Sequence, residues 1–474
     1  MSRPDLAGTR VCVAGVGVSG VSAVRALVLL GAEVVAVDGR DGPSEQALAA
    51  DLRGLGAQVR LGAADELPAG AELVVTSPGW RPTQPLLVAA ADAGVPVWGD
   101  VELAYRLRPD DQAWLGVTGT NGKTTTVQML ESILRAAGHR AVACGNVGLA
   151  VLDAVLDPDP YDVLAVEVSS FQLHWTQTVE FQSAAVLNIA PDHLDWHGSF
   201  EAYAAAKASI WRGDWYCIYN ADDPVVRELV AGHLDRQDFT LGPLDGHCFG
   251  VVDGVLVDRC FGSAPGEGVG PHGVELARLA DINPPAPHNV ANALAAAALA
   301  RALESGTGSR LRVPPAAVAE GLRSFTPGGH RIAHVATVAG VDYVDDSKAT
   351  NPHAAAASLQ AYARVVWVAG GLAKGARFDE VVATAAGRLR GAVLMGTDRG
   401  LVAEALARHA PEIPVVEVPG TDTGAMDDVV RAAAALARPG DTVLLAPACA
   451  SMDMFRDYAA RGDAFAAAVH RLGS

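Results

Sequence analysis

Short, continuous apolar runs alternate with helix-length segments along the whole chain, and this alternation most constrains the fold. The runs begin with VCVAGV, EVVAVD and ELVVTS, restart at AWLGVT and DVLAVEVSS, and restart again at VDYVDDS, RVVWVAGG, GAVLMG, PVVEV and DTVLLAPA. Continuous apolar strands separated by helices are typical of parallel sheets that helices cover on both faces. We therefore predict an α/β fold.

The chain of 474 residues exceeds one ordinary domain, and breaks in the pattern divide it into three. We predict a Rossmann-like domain over residues 1–101, a central P-loop-type ATPase domain over residues 102–327, and a Rossmann-like α/β domain over residues 328–474. The central domain should have a parallel sheet with peripheral β structure at 240–285, where FGVVDGVLVD contains an Asp-Gly hairpin signal. We assign no function to that segment. The Ala-rich NVANALAAAALARAL predicts a helix before the Pro-Gly-Gly break.

Composition and charge exclude several classes of partner and location. The net charge of −18 disfavours a general nucleic-acid surface or an anionic membrane surface. The segment MSRPDLAGTRVCVAGVGV does not resemble an export signal, and we find no run of about 20 apolar residues that could span a bilayer. The six cysteines show no Cys-x-x-Cys spacing, so we predict reduced thiols without a disulfide framework, in a cytoplasmic protein.

The segment GVTGTNGKTTT lies between a predicted strand and a predicted helix. It misses the strict P-loop pattern because Val117 stands where the first glycine should be. Gly119 and Gly122 still let backbone N–H groups face a phosphate, and Lys123 adds a positive charge. The hydroxyl of Thr124, at the predicted start of the helix, can reach a magnesium ion. The segment therefore predicts an ATP or GTP site; the alternative is an ordinary turn with a solvated lysine.

Three polar residues that follow this loop in the sequence are candidates for a catalytic site. Glu167 ends a buried strand, where an ionised carboxylate is costly unless it meets a metal or a partner, and nucleotide-bound Mg²⁺ is the natural partner there. His193 follows the run AAVLNIA, and Lys207 lies among alanines on a predicted helix. Each residue alone is more often a satisfied or solvated side chain. Only the combination indicates a catalytic site.

An earlier glycine loop, GVGVSG, fits G-x-G-x-x-G after a strand, and Asp38 lies 18 residues beyond Gly20. On its own this pattern predicts a dinucleotide site, with NAD as the first choice. An NAD-linked oxidoreductase is therefore an alternative, although it leaves the second loop without a role. A non-catalytic nucleotide-binding regulator is another alternative, which the presence of Glu167, His193 and Lys207 together disfavours.

Several segments together resemble the Mur ligases: GVTGTNGKTTT, VEVSSFQL, NIAPDHLDWHGS with YAAAK, HNVANALAA, PGGHRI, DDSKATNP and LLAPACASMDMF. They span all three predicted domains in the family's order, and DDSKATNP with PACASMDMF resembles the member that adds D-glutamate. The resemblance implies an ATP-dependent acid–amino-acid ligase of peptidoglycan precursor synthesis. It would join D-glutamate to UDP-MurNAc-L-alanine through an acyl phosphate, with ADP and phosphate as by-products. Another Mur-type or a folylpolyglutamate-type ligase is the alternative within the family.

The resemblance also implies roles for individual residues. Catalysis would involve Lys123, Glu167, His193, Lys207 and Lys348. ATP would be bound by Gly119, Thr120, Asn121, Gly122, Lys123, Thr124, Thr125, Thr126, Asn289, Asn292, Arg331 and Asp346. The UDP substrate would be bound by Val18, Ser19, Asp38, Arg40, Ser77, Pro78, Gly79 and Asn146. D-glutamate would be bound by Thr350, Lys374, Ser451, Met452 and Tyr458, of which the last stands where we expect a phenylalanine.

The cofactors follow from the same resemblance. Thr124 and Glu167 would hold one Mg²⁺ ion, and His193 would hold a second one. Lys207 resembles the lysine that Mur ligases carbamylate with CO₂, which turns a cation into an anion beside the second metal. Carbamylation requires a neutral amine, so burial that lowers the lysine pKa would favour it. Besides the small-molecule substrates we expect no nucleic acid, no membrane insertion and a monomer.

Overall fold

The computed structural model describes residues 3–213, 216–262, 272–303, 311–420 and 422–473. The chain forms two compact units. The first comprises Met1–Pro285 and Asn289–Phe325, and the second comprises Ala286–His288 and Thr326–Ser474. Within the described ranges, no helix combines the length and the apolar character needed to cross a bilayer.

The N-terminal sheet of the first unit is wholly parallel, as predicted. Its strands are β1 (Arg10–Ala14), β2 (Glu33–Asp38), β3 (Gln58–Leu61), β4 (Leu73–Thr76) and β5 (Val97–Gly99). They lie in the order β3-β2-β1-β4-β5. The helices are α1 (Val18–Leu29), α2 (Pro43–Gly54), α3 (Pro85–Asp92) and α4 (Asp100–Leu107). Apolar side chains cover both faces of this sheet, which is why its strands read as continuous apolar runs.

The second sheet of this unit is mixed. Its strands are β6 (Ala113–Thr118), β7 (Ala141–Gly145), β8 (Val163–Glu167), β9 (Ser183–Val186), β10 (Tyr216–Asn220), β11 (Arg236–Phe239), β12 (Phe249–Val252), β13 (Val255–Asp258) and β14 (Val274–Arg278). They lie in the order β14-β13-β12-β11-β10-β9-β6-β8-β7, with antiparallel pairing only between β12, β13 and β14 among the described strands. The helices are α5 (Lys123–Ala136), α6 (Val151–Val155), α7 (Ser170–His174), α8 (Leu194–His197), α9 (Phe200–Ala208), α10 (Pro224–Val230), α11 (Pro287–Ala302) and α12 (Pro315–Ser324).

The predicted peripheral β structure is confirmed in β12, β13 and β14, although residues 263–271 of the predicted segment lie outside the described residues. Asp253 and Gly254 both have positive φ angles at the turn of the β12–β13 hairpin, as an Asp-Gly pair allows. The prediction of reduced thiols is wrong for one pair: Cys248 and Cys260 form a disulfide. Sequence spacing hides this pair because only the antiparallel hairpin brings the two Cα atoms to 5.2 Å.

The sheet of the second unit is also mixed. Its strands are β15 (Ala333–Val338), β16 (Val341–Asp345), β17 (Val365–Gly370), β18 (Leu389–Met395), β19 (Val415–Glu417) and β20 (Thr442–Leu445). They lie in the order β15-β16-β20-β17-β18-β19, and in the described part only the β15–β16 pair is antiparallel. The helices are α13 (Pro352–Gln360), α14 (Asp379–Ala385), α15 (Arg399–His409), α16 (Ala425–Leu436) and α17 (Tyr458–Leu472). The five predicted strands are confirmed; β15 was missed because this half-buried edge strand has no continuous apolar run.

Candidate active site

The predicted nucleotide residues of the first unit follow neighbouring strands. β9, β6, β8 and β7 lie side by side and parallel. The carboxyl ends of parallel strands meet at one edge of a sheet, where ligands of open α/β sheets bind. This topology brings the loop after β6, Asn146 after β7, Glu167 on β8 and the chain after β9 to the same edge.

Two glycines shape the loop between β6 and α5. Gly119 has φ +154° and Gly122 has φ +87°, which side-chain-bearing residues rarely adopt. A Cβ atom added at Gly122 would lie 2.4 Å from Oδ1 of Asn292, so α11 packs directly against the loop. Nδ2 of Asn292 donates to Oδ1 of Asn289 at 3.4 Å. Both asparagines assigned to ATP therefore lie beside the predicted phosphate loop.

The first turn of α5 completes this loop. The helix begins at Lys123, one residue before the predicted start, and its next three residues are the buried threonines Thr124, Thr125 and Thr126. Nζ of Lys123 donates to the carbonyl oxygens of Gly119 at 2.8 Å and Thr120 at 3.0 Å. A positive side chain therefore lies at the N-terminus of a 14-residue helix, whose dipole also favours an anion.

Two residues that the sequence analysis did not single out fix the loop. The side chain of Asn188 pairs with the backbone of Asn121, accepting from its N–H at 2.9 Å and donating to its carbonyl at 3.1 Å. The hydroxyl groups of Tyr203 and Thr120 lie 2.9 Å apart. Both had a signal in the sequence: Asn188 comes just after a strand, and Tyr203 lies one helical turn before Lys207.

Glu167 has the surroundings of a magnesium ligand. It is 1% exposed, and its Oε1 accepts from Nδ2 of Asn146 at 2.8 Å. Its Oε2 is buried without a hydrogen-bond partner in the part of the chain that the structure describes. A buried carboxylate oxygen is costly without a partner, and Mg²⁺ prefers oxygen ligands of this kind. The surroundings of Glu167 therefore fit the magnesium ion that the sequence predicts.

Lys207 is buried against the same loop. It is 2% exposed, and its Nζ donates to the carbonyl oxygen of Gly119 at 2.8 Å. Nζ also lies 4.9 Å from the ring centroid of Tyr203. Burial, reinforced by the positive charge of Lys123, holds the pKa of Lys207 well below its ordinary value. A lysine in this setting is neutral far more often than an exposed one.

His193 lies at the start of α8 in the left-handed region, with φ +53°. Its ring centroid is 4.7 Å from that of Phe171 and 6.5 Å from that of Tyr203. Burial lowers the pKa of His193 against the opposing effect of Asp192, which favours the neutral ring whose nitrogens can bind a metal. Among the described residues, no group of three or more His, Cys, Asp and Glu side chains could hold a metal ion.

The earlier glycine loop joins β1 to α1. A Cβ atom added at Gly20 would lie 1.8 Å from the carbonyl oxygen of Gly15, so the third glycine allows the close packing of α1 against the loop. Val18 is 79% exposed and Ser19 is half-buried at the start of this 12-residue helix. The backbone N–H of Val16 donates to Oδ2 of Asp38 at 2.9 Å.

The other residues assigned to the UDP substrate border this loop. Burial acts to raise the pKa of Asp38, but hydrogen bonds from Arg40 and from backbone N–H groups hold it below its ordinary value. The Arg40 side chain is 65% exposed. Ser77, which precedes Pro78 and Gly79, has a buried hydroxyl without a hydrogen-bond partner within the described ranges. The structure thus brings Val18, Ser19, Asp38, Arg40, Ser77, Pro78 and Gly79 to the carboxyl edge of the first sheet.

In the second unit, the residues assigned to D-glutamate follow β16, β17 and β20, which are neighbours in the sheet. Backbone hydrogen bonds tie the three loops together. Ala448 donates to Ala349 at 2.9 Å, and Leu372 and Ala450 exchange bonds of 2.9 and 3.0 Å. These loops carry Lys348, Thr350, Lys374, Ser451 and Met452.

The side chains on these loops differ in exposure. Nζ of Lys348 lies 3.9 Å from the ring centroid of Tyr458, the first residue of α17. Lys374 is exposed with φ +51°, and Met452 is 70% exposed, whereas Ser451 is buried.

Two residues assigned to ATP, Asp346 and Arg331, also belong to the second unit. Burial raises the pKa of Asp346 to about 6, although its hydrogen bond from Ser358 and the half-buried Arg331 act to lower it.

Family models match most of the chain. A Mur ligase MurD-like N-terminal domain model matches residues 9–99, a Mur ligase middle domain model matches residues 117–246, and a Mur ligase glutamate ligase domain model matches residues 330–449. The chain belongs to the Mur ligase family. Membership implies ATP and Mg²⁺, and it decides against an NAD-linked oxidoreductase built on the first glycine loop.

Similar proteins agree with this assignment. A UDP-N-acetylmuramoylalanine--D-glutamate ligase of Streptomyces coelicolor is 59% identical over 481 residues, covering 99% of each chain. Its counterpart in Thermobifida fusca is 59% identical over 475 residues, again covering 99% of each. Two solved structures share the fold at low identity. The pseudomurein peptide ligase type C from Methanothermus fervidus has TM-score 0.59 and 17% identity over 98% of this chain and 100% of its own. UDP-N-acetylmuramate-alanine ligase MurC from Thermotoga maritima has TM-score 0.58 and 19% identity over 98% and 99%.

Proposed function

We propose that this chain is the ATP-dependent ligase that joins D-glutamate to UDP-N-acetylmuramoyl-L-alanine in peptidoglycan precursor synthesis. The relatives described above carry that activity in their names. The structural observation that carries the chemistry is Lys207, a buried amine with a lowered pKa, 2.8 Å from the carbonyl oxygen of Gly119 in the predicted phosphate loop. A cytoplasmic monomer is part of the proposal.

The reaction would proceed in two displacements. An oxygen of the L-alanyl carboxylate attacks the γ-phosphorus of ATP, and ADP leaves. The amine of D-glutamate then attacks the acyl carbon, the C–O bond to phosphate breaks, and the nitrogen loses its proton as the amide forms. Phosphorylation is needed because a carboxylate has no good leaving group. The protein contributes mainly positioning and neutralisation of charge.

The first unit would activate ATP. The backbone of residues 119–122 and the ammonium of Lys123 would bind the phosphates. Thr124 and Glu167 would hold one Mg²⁺ ion, and His193 with a carbamylated Lys207 would hold another; bound Mg²⁺ neutralises phosphate charge. The first of these sites is supported by Oε2 of Glu167, which is buried without a hydrogen-bond partner among the described residues.

Carbamylation would convert Lys207 from a cation into a metal ligand. The neutral amine attacks CO₂, a C–N bond forms, and the nitrogen loses a proton to leave a carbamate anion. Burial favours this reaction because it makes the ammonium form costly, which lowers the lysine pKa and leaves more of the amine neutral.

The remaining assignments divide the substrates between two sheet edges. The UDP moiety would be bound at the earlier glycine loop, through the exposed N-terminus of α1 and through Asp38, while Asn146 would lie near the muramoyl group. D-glutamate would be bound in the second unit, where Lys374 would pair with the side-chain carboxylate. Arg331 and Asp346 are assigned to ATP on the family resemblance alone.

The direct test is phosphate release from ATP in the presence of UDP-MurNAc-L-alanine, with D-glutamate, with L-glutamate or with no amino acid. We expect release that depends on D-glutamate, together with a product whose mass corresponds to the new amide. Release that depends on a different amino acid would contradict the proposed substrate and favour a sibling activity. Absence of release with every amino acid would contradict the ligase itself.

A further inference from the structure

Arg461 on α17 is a fully buried cation that joins two of the ligand-bearing loops of the second unit. It is 1% exposed. Its Nε donates to Oγ of Ser347 at 2.9 Å, and its Nη2 donates to the carbonyl oxygen of the same residue at 2.8 Å. Its Nη1 donates to the carbonyl oxygen of Cys449 at 3.0 Å. One guanidinium thus bonds to the residue before Lys348 and to the segment that leads into Ser451.

The residues around Arg461 at the start of α17 are closely packed. Ser347 is fully buried, and its hydroxyl also donates to the carbonyl oxygen of Tyr458 at 2.7 Å. A Cβ atom added at Gly462, the next residue of α17, would lie 2.1 Å from Nδ1 of His330. The start of α17 is therefore packed tightly against the loop that follows β16 and against the segment that precedes β15.

Within the described part of the chain, no carboxylate pairs directly with the charge of Arg461. All three hydrogen bonds go to neutral oxygens, whereas Asp345 and Asp453 act on the guanidinium electrostatically, without a hydrogen bond to it among the described residues. A buried cation without a direct counter-ion costs free energy. Arg301 shows the usual solution elsewhere in the chain, because its equally buried guanidinium lies 3.1 Å from the buried carboxylate of Asp258. An anionic ligand near the loops would compensate the charge of Arg461.

We propose that Arg461 is a positioning residue for the acidic amino-acid substrate, holding the loops of Lys348 and Ser451 in register and adding a positive charge behind them. This inference rests on the proposed function. Planar bidentate recognition of this kind is specific to arginine. Lysine keeps the charge but cannot bond both loops in the same geometry.

The test is steady-state kinetics of the whole protein carrying Arg461→Lys, with Arg301→Lys as the matched control. We expect the KM for D-glutamate to rise by about tenfold or more, with the KM values for ATP and UDP-MurNAc-L-alanine changed by less than about twofold. The control should lower the melting temperature and leave all three KM values in place. A loss of melting temperature in Arg461→Lys with an unchanged KM for D-glutamate would assign the residue a structural role only and overturn the inference.

A milder variant covers the case in which Arg461→Lys does not fold. Ser347→Ala removes one acceptor of Arg461 and leaves the backbone acceptors, so we expect a rise of about threefold in the KM for D-glutamate. An unchanged value in a folded Ser347→Ala protein would also overturn the inference. Wild-type protein that releases phosphate without D-glutamate would instead contradict the proposed function, which keeps the two failures separate.

Discussion

The two glycine loops of the first unit share a backbone arrangement but differ in the charges around them. Each loop joins a parallel strand to a helix. Each also contains a glycine at which an added Cβ atom would clash with a neighbouring oxygen: Gly20 in the first loop and Gly122 in the second. The first loop borders an exposed helix start and the carboxylate of Asp38, which pairs with the largely exposed Arg40. The second borders the cationic side chain of Lys123 and the fully buried amine of Lys207, whose lowered pKa favours the neutral form.

We infer from this difference that a glycine loop offers a backbone suited to phosphate, whereas the neighbouring side chains decide which chemistry the site could support. Oriented N–H groups and a helix dipole are enough to bind a diphosphate that does not react. Transfer of a phosphoryl group also requires cations placed where charge develops. The first loop therefore suits the UDP part of the substrate, which is bound but does not react. The second loop suits ATP, which is cleaved.

The largest expected effect is on Lys207, because among the described residues a buried lysine borders the second loop and none borders the first. We expect Lys207→Ala to lower kcat by about 10³-fold or more, and short carboxylic acids to restore part of the activity by replacing the carbamate. The exposed Glu201 lies on the same helix, so Glu201→Ala is the matched control and should turn over normally. Normal turnover of Lys207→Ala would remove the catalytic distinction between the loops.

Glu167 should come next. Glu167→Gln keeps an oxygen that can accept from Asn146 but removes the charge, so we expect kcat to fall by about 10²–10³-fold and the half-saturating Mg²⁺ concentration to rise. Kinetics across a magnesium titration measure both effects. A fall in kcat without any change in the magnesium requirement would argue against Glu167 as a metal ligand.

The first loop is tested through its packing. A Cβ atom at Gly20 would overlap a backbone carbonyl oxygen, so we expect Gly20→Ala to destabilise the protein by about 3 kcal/mol. No atom of the described residues lies within 4 Å of a Cβ atom at Gly17, where φ is −74°, and Gly17→Ala should change stability by less than about 0.5 kcal/mol. Denaturant unfolding of both variants gives the comparison. Equal stabilities would show that α1 does not pack as described.

The smallest expected effect is that of Asp38→Asn, which tests whether the first loop binds the UDP substrate and not ATP. Asp38→Asn weakens the hydrogen bonds from Val16 and Arg40, so we expect the KM for UDP-MurNAc-L-alanine to rise by about tenfold. The KM for ATP should not change, because Asp38 borders only the first loop among the two. A parallel rise in the KM for ATP would contradict separate roles for the loops.

The sequence was sufficient to predict those features that depend on local residue patterns. The apolar runs predicted the parallel strands, and the strand–loop–helix pattern predicted the glycine turn between β6 and α5, because glycine readily adopts its backbone angles. The sequence could not show that Asn188 braces the backbone of Asn121, or that Lys207 is buried, since both depend on the packing of distant segments. The disulfide between Cys248 and Cys260 was missed for the same reason.

Amide hydrogen exchange over residues 15–20 and 119–123, measured with one ligand present at a time, tests whether the two glycine loops bind different nucleotides. We predict that UDP-MurNAc-L-alanine slows exchange in the first loop and that a non-hydrolysable ATP analogue slows exchange in the second. Each ligand should leave the other loop at its ligand-free rate. Protection of residues 15–20 by the ATP analogue, with no protection of residues 119–123, would contradict the assignment of ATP to the second loop.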